Sequence, residues 1–270
     1  MFSANPREVT SPTNSLLKVF RRALADGTTK QGWLAVEGPF LVEEALNAAP
    51  RVTTHSVLVA SGAAEKFSAL LQRLPAEAEV TLVPDRLFDG VAQTQSPQGI
   101  AALVEFPAYR LEEIVATHHP LLVVACRLQD PGNLGTMMRT ALAFSASAFL
   151  TLQETVSPFN PKAVRSSAGA IFRLPLVCGL DPNAALPFLS VHVRLVAAER
   201  NSPSSLAQAD LRGPIAILVG RESTGLPPEI ARHANQLLSI PIRKEVDSIN
   251  AATAASIFLY EAARQRGFKY

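Results

Sequence analysis

Two cysteines, Cys126 and Cys178, are the whole thiol complement of the 270 residues. They cannot build a disulfide framework, and the absence of any C-x-x-C pair excludes a zinc ribbon. Two thiols suit a reducing compartment. No apolar stretch approaches the ~18 residues needed to span a bilayer. The first twenty residues, MFSANPREVTSPTNSLLKVF, hold neither an apolar run of roughly 7–15 residues nor a cleavage-site pattern. The chain is therefore expected to be soluble and cytoplasmic. An excess of one charge is missing too: 25 basic against 23 acidic side chains give +2, which excludes a polybasic, histone-like mode but leaves room for a local patch. Fourteen glycines and twenty prolines are too few and too scattered for a collagen-like or low-complexity chain.

Several chemical signatures are absent as well. The five histidines show no H-x-x-x-H or H-E-x-x-H spacing, so no metal site is expected. No G-x-x-x-x-G-K-[ST] occurs, which disfavours a P-loop nucleotide hydrolase, and Gly132-Asn133-Leu134-Gly135 lacks the G-x-G-x-x-G spacing of a dinucleotide fold. The stretch from Gly220 to Gly225 resembles a hydrolase elbow only loosely, in the wrong register.

What is present is a globular balance, 48% apolar and 18% charged, over a length that suits one large or two modest domains. Ser11-Pro12 opens a helix through Ala25, stopped by Asp26-Gly27. Leu16, Leu17, Phe20, Ala23 and Leu24 share one of its faces, and Lys18, Arg21 and Arg22 lie largely on the other. Residues 1–30 carry +3 (five basic, two acidic). Strands follow at Trp33–Glu37 and Thr53–Ala60, with a helix near Pro39–Ala48 between them. A helix near Ala63–Leu74 and strands near Glu79–Val83 and Gly99–Phe106 complete the first half. Pro107 to Pro120 carries mixed charge and the pair His118-His119, which marks a boundary: a domain over 1–110, a linker over 111–120 and a second domain over 121–270.

The second half alternates buried apolar strands with helices. Leu121–Cys126, Ser147–Leu152, Leu174–Cys178, Arg194–Ala198, Ile215–Val219 and Gln236–Ile240 read as strands. Helices fit near Leu134–Phe144, from Asn160 toward Gly169, near Asn183–Leu189 and from Ser248 to Arg266. The pattern argues for an α/β fold with a parallel sheet covered on both faces.

Three segments share one feature, a buried strand that ends in a loop rich in Gly, Pro or Asn: LQDPGNLGTMMRTA (128–141), ILVGRESTGLPPEI (217–230) and LSIPIRKEVDSINAATAASIFLYEA (238–262). In a parallel sheet such loops leave the carboxyl edge, where ligands bind. Singly, each has an ordinary explanation. Arg139 fits a solvated helix face, Gly220-Arg221-Glu222 a strand-ending turn, and Ser248 and Asn250 a helix N-cap region.

Together, in order and spacing, DPGNLGTMMRTA, ILVGRESTGL and SIPIRKEVDSINAATAASIFLYE resemble the three motifs of the SpoU (TrmH-type) branch of the SPOUT RNA methyltransferases, over about residues 121–265. The stretch FRRALADGTTKQGWLAVEGPFLVEEAL more weakly resembles the substrate-binding domain that precedes the catalytic domain in ribosomal-RNA members. The resemblance implies a C-terminal trefoil knot behind a smaller α/β substrate-binding domain, S-adenosylmethionine as cofactor, a homodimer through the C-terminal domain, and methylation of a ribose 2′-hydroxyl. Ribosomal RNA is the preferred substrate. Transfer RNA, or a non-catalytic RNA-binding or ribosome assembly role on the same fold, are the alternatives.

By motif position, Gly220, Ile240 and Ile249 would line the cofactor pocket, with Ala197 at the end of an earlier strand. Asn133, Arg139, Glu222, Ser248 and Asn250 match the polar positions tied to catalysis and cofactor binding. A neutral guanidine at neutral pH is costly, so Arg139 reads better as positioning a phosphate and stabilising an alkoxide than as a base; both roles stay open. Lys18, Arg21 and Arg22 on the first helix, with Arg165 near the second strand–helix turn of the catalytic domain, are the RNA contacts expected. No metal is called for. The chain departs from the family pattern at Ser223, where glycine is usual, at Lys244-Glu245, where small residues are usual, and at Ala251-Ala252, where Val-Ser is frequent.

Overall fold

A computed structural model of the chain describes residues 6–221 and 225–268. They fall into two compact units, one within residues 1–107 and 159–165 and the other within residues 108–158 and 166–270. In the first unit the elements are β1 (Arg7–Glu8), α1 (Ser15–Asp26), β2 (Leu34–Glu37), α2 (Pro39–Asn47), β3 (Thr53–Ala60), α3 (Ser68–Leu71), β4 (Glu79–Val83), α4 (Asp85–Asp89) and β5 (Ile100–Glu105). Asn14 caps α1 by accepting the Leu16 N–H at 2.8 Å, an ordinary N-cap bond. Gly27 ends the helix at φ 96°, a left-handed turn suited to glycine. Leu17, Phe20, Ala23 and Leu24 bury themselves against Leu58, Phe88 and Leu103.

The sheet order is β1-β4-β3-β5-β2. β1, β4 and β3 run parallel, while β5 is antiparallel to both β3 and β2. The sheet of the first unit is thus mixed, within the smaller α/β domain expected there. The expected helix over 63–74 is also shorter, a 3-10 turn at Ser61–Ala63 followed by α3.

The second unit contains α5 (Leu111–Val115), β6 (Leu121–Ala125), α6 (Pro131–Ala143), β7 (Ala148–Leu152), β8 (Leu176–Leu180), α8 (Pro182–His192), β9 (Arg194–Ala198), β10 (Ile215–Val219), α9 (Pro228–Ala231), β11 (Gln236–Leu238) and α10 (Ala251–Gln265). Its six strands are all parallel, in the order β11-β9-β10-β6-β7-β8. Every residue of β6, β7 and β10 is buried, which is why these strands read as unbroken apolar runs rather than alternating ones. Leu122, Val124, Leu150, Leu195, Ala197 and Leu218 face α5, α8 and α9, and α10 packs against α6, β9 and β10. Both faces are therefore covered.

Two segments sit elsewhere than the sequence suggests. The stretch 111–120, expected as a linker, contains α5, whose Ile114 and Val115 are buried in the core of the second unit. The intervening helix α7 (Pro161–Ser166) belongs, up to Arg165, with the first unit. Phe159 anchors this segment there by a ring contact with Phe106 at 5.9 Å. Among the described residues no helix is long and apolar enough to cross a membrane, and no group of His, Cys, Asp and Glu is arranged to hold a metal ion.

Candidate active site

The loops that leave the carboxyl edge of the second sheet are tied to one another. After β6 the chain turns at Arg127, held at φ 54°, a left-handed conformation uncommon for a side chain of this size. Its N–H donates to Thr155 Oγ1 at 2.9 Å, and that hydroxyl donates to Ala125 O at 3.1 Å. The Arg127 guanidinium spans Glu154 at 3.1 Å and Glu229 at 2.8 Å. Arg221 Nε, from the loop after β10, donates to the Arg127 carbonyl at 2.7 Å. The backbone N–H at Glu229 and then Arg127 hold the Glu229 carboxyl below its ordinary value.

Asp130 caps α6 by accepting the Asn133 N–H at 2.8 Å, with Pro131 in the first turn. Asn250 caps α10 in the same manner, its Oδ1 accepting from the N–H groups of Ala252 and Thr253 at 2.9 and 3.2 Å. Its Nδ2 donates to Asn133 Oδ1 at 2.9 Å. The two helix starts are thereby joined side chain to side chain. Further along, Ser256 Oγ bonds Thr140 Oγ1 at 3.1 Å.

Beside this junction lies a cleft of about 270 Å³ lined by Ala198, Glu199, Gly220, Ile240, Ser248 and Ile249 among others. Gly220 has no room for a side chain, because a Cβ there would collide with the backbone of Gly225. Arg221 and Gly225 exchange reciprocal backbone bonds, at 3.1 and 2.9 Å. The lining combines small and apolar side chains with the polar groups of Glu199, Arg200, Asn201, Arg221 and Ser248, a set suited to an adenine ring and a charged amino-acid tail.

The sequence-derived site maps onto this geometry unevenly. Gly220, Ile240, Ile249 and Ser248 line the cleft, and Asn133 and Asn250 meet at its edge. Arg139 stands exposed on α6, six residues beyond Asn133, with no hydrogen bond or ion pair among the described residues. Glu222 and Ser223 lie outside the described residues. Ala197 does not line the cleft: strand alternation turns it, with Leu195, into the core on the opposite face. Its neighbour Ala198 and then Glu199, just past the strand, take that place, and the same alternation read along Arg194–Ala198 would have picked Ala198. The Lys244-Glu245 pair forms an exposed turn outside the cleft lining, so its bulk does not enter the cavity.

On the first unit Lys18, Arg21 and Arg22 are exposed on α1. Arg21 Nε donates to Gly90 O at 2.9 Å and Arg22 pairs with Asp26 at 3.2 Å. Arg165 is exposed but sits in the segment that packs with the first unit, not at the catalytic sheet as expected. Cys126 is fully buried, and burial pushes its thiol well above the ordinary range. It plays no part in the cleft.

Comparison with known proteins fits this arrangement. Residues 120–260 match the SpoU rRNA Methylase family, and residues 35–110 match the RNA 2'-O ribose methyltransferase substrate binding family. The chain is 32% identical to the uncharacterized tRNA/rRNA methyltransferase slr1673 of Synechocystis, over 96% of this chain and 94% of the relative. It is 30% identical to the 23S rRNA (guanosine(2553)-2'-O)-methyltransferase RlmP of Bacillus subtilis, over 86% of this chain and 89% of that protein. The crystal structure of an AdoMet-bound rRNA methyltransferase from Sinorhizobium meliloti superposes with a TM-score of 0.81 at 30% identity, covering 96% of this chain and 97% of that one.

Proposed function

Since the chain belongs to the SpoU rRNA Methylase family, we infer that it is an S-adenosylmethionine-dependent methyltransferase acting on a ribose 2′-hydroxyl of ribosomal RNA. The observation that carries this reading is the cleft itself. The ends of β9, β10 and β11 and the start of α10 supply its walls, and the Asn133–Asn250 bond brings the first and third motifs to its rim. The named RlmP relative acts on 23S rRNA, and the Sinorhizobium neighbour binds AdoMet; both support the substrate and cofactor assigned here.

Bound in the cleft, S-adenosylmethionine supplies an electrophilic methyl group. Gly220, Ile240 and Ile249 would hold it through backbone groups and apolar contact, with Glu199 accepting from its hydroxyl or ammonium hydrogens. The ribose hydroxyl is a poor nucleophile and needs polarisation. Arg139 is assigned that role, because its permanent charge suits a target phosphate and the developing alkoxide. Asn133 orients the ribose, Asn250 holds Asn133, and Ser248 shapes the third loop around the cofactor. Glu222 is assigned to pair with Arg139 or to anchor its loop.

Three further readings belong to the same proposal. The strand order, with β10 inserted between β9 and β6 and β11 beyond β9, supports a trefoil knot closed by α10. The exposed side chains Ile257 and Tyr260 on α10, with Phe144 and Phe268 in ring contact with Tyr260, support a homodimer through the second unit. A ribosomal substrate puts the enzyme in the cytoplasm, with 1–110 as the RNA-binding domain and Lys18, Arg21, Arg22 and Arg165 among its phosphate contacts.

The test is a map of 2′-O-methylation across total RNA with and without the gene, followed by transfer of labelled methyl from the cofactor to size-fractionated RNA. Loss of one mark in large ribosomal RNA is the expected outcome. Label that enters only the small-RNA fraction moves the substrate to transfer RNA, and no transfer at all makes the protein a non-catalytic binder.

A further inference from the structure

Trp33 is the single tryptophan of the chain. It stands half-buried just before β2 and packs against the core of the first unit. His55 lies almost flat on it, with ring centroids 4.0 Å apart and planes 11° from parallel. His55 Nε2 is 2.7 Å from Glu105 Oε2. An ionised carboxylate can only accept, so Nε2 carries the hydrogen and the ring plane is fixed. The pair adds a second aromatic layer outside the core, and His55 keeps 28% of its side-chain surface in solvent.

Two backbone devices build this stack. The pairing of β3 with β5 slips between Thr54 and Ser56, which leaves His55 without a cross-strand partner. Such bulges re-aim a side chain and concentrate near functional sites. The turn into β2 is set by Gly32 at φ +88° and by mutual bonds between Thr29 and Trp33: Thr29 N–H to Trp33 O at 2.8 Å and Trp33 N–H to Thr29 Oγ1 at 3.2 Å. An aliphatic residue would cover Trp33 at less cost than an imidazole that needs a carboxylate partner. The arrangement instead leaves a planar, rigid, wettable ring at the surface. Lys30 and Arg51, both exposed, lie at the same end of the sheet, in the turn before Trp33 and just before β3.

We propose that the Trp33–His55 stack is a platform for an unpaired base of the RNA substrate, with Lys30 and Arg51 supplying positive charge for the adjoining phosphates. The proposal rests on the ribosomal-RNA reading above and deepens it. A base within a duplex has both faces covered, so only a splayed base from a loop or bulge can add to the stack. Stacking of this kind tolerates any base, because every base has a π-face. The platform therefore selects RNA by local unpairing rather than by sequence, while the methylated nucleotide is chosen at the cleft.

The test uses the full chain, labelled cofactor and unmodified large-subunit ribosomal RNA from cells that lack the gene. His55→Ala is expected to raise KM for the RNA by about tenfold, or ~1.4 kcal/mol, with kcat and cofactor Kd unchanged. His55→Phe keeps a planar ring and is expected to restore KM to within about twofold of wild type. Because Trp33 is the sole indole, its emission in the wild-type protein reports the platform directly, and it should change on RNA addition but not with a fully paired RNA of equal length. Wild-type turnover with KM unchanged in His55→Ala, or Trp33 emission indifferent to the RNA, overturns the platform alone. A KM defect that His55→Phe does not repair, together with a lowered melting temperature in both variants, makes the stack a packing device and also overturns it. A wild-type protein that transfers no methyl group to the RNA overturns the functional reading, and the platform with it.

Discussion

Asn250 donates its side-chain N–H to the side-chain oxygen of Asn133 at 2.9 Å, so one residue both caps the last helix and holds the first motif in place. The two roles separate by substitution. Asn250→Asp keeps an oxygen for the Ala252 and Thr253 N–H groups but loses the donor to Asn133. It is expected to melt near wild type while single-turnover methyl transfer falls at least tenfold. Asn250→Ala should in addition lose ~0.5–2 kcal/mol of stability, the usual cost of a missing cap. Full activity in Asn250→Asp would show that the link is ornamental.

Arg139 is exposed on the same helix as Asn133, without a hydrogen bond or ion pair among the described residues. An arginine that no described residue holds in place can be removed with little effect on folding. Arg139→Ala is expected to lower the methyl-transfer rate by about 10²–10³, the usual scale for one donor to a developing oxyanion. Cofactor affinity by calorimetry should be unchanged. Lysine should not restore the rate, since an ammonium lacks the planar fork. Turnover near wild type in Arg139→Ala would remove this residue from the mechanism.

Gly220→Ala places a methyl group where the Gly225 backbone already sits. Overpacking of this sort costs typically ~1–3 kcal/mol. The distortion falls on the cleft wall, so cofactor affinity is expected to drop by more than the change in melting temperature implies. Calorimetry alongside thermal melts checks it; wild-type affinity in the variant would mean that the turn can open without touching the pocket.

The Arg127 clasp gives a pH dependence with a defined sign. Glu229 is held below its ordinary value of 4.5, first by the backbone N–H at Glu229 and then by Arg127. A depressed carboxylate contributes stability that is complete above the unfolded value and disappears as pH falls through the folded one. The clasp is therefore expected to be intact at pH 6–8 and to loosen only below about pH 4.5. Glu229→Gln should flatten that acid limb in a denaturation series and leave the neutral region unchanged. An identical acid limb in wild type and variant would mean that Glu229 is not the group responsible.

The proposed dimer is testable at α10, where Ile257 and Tyr260 are 37% and 49% exposed. Ile257→Asp is expected to shift sedimentation from dimer to monomer without lowering the melting temperature of the isolated subunit. A monomeric wild-type protein at micromolar concentration would end the dimer reading.

The catalytic half is the more legible part of the sequence. Fully buried strands such as Leu121–Ala125 and Ile215–Val219 carry unbroken apolar runs, and their loops hold Gly220, Asn133 and Asn250 at recognisable spacing. The features that local pattern does not reveal depend on partners far along the chain. The mixed sheet of the first unit is invisible because β5 reads the same in either direction. α5 is hidden in a charged stretch where only Ile114 and Val115 are buried. Ala197 stands near a strand end, where a cofactor contact is expected, whereas strand alternation puts Ala198 at the cleft. The His55 bulge exists only as a slip between two strands, so no local pattern announces it.

The middle of the second sheet is filled out of turn. Ile215 of β10 lies against Leu121 on one side and Arg194 on the other, so β6, paired early with β7 on its far side, waits for a much later segment to fill its near side and join it to β9. The β6–β10 ladder joins distant parts of the polypeptide, and searches of that kind are slow because loop closure precedes any gain. Refolding from denaturant should therefore lag far behind that of a helical bundle of equal length. The half-assembled intermediate would display two naked strand borders, which makes dilute conditions the safer route to recovering active material.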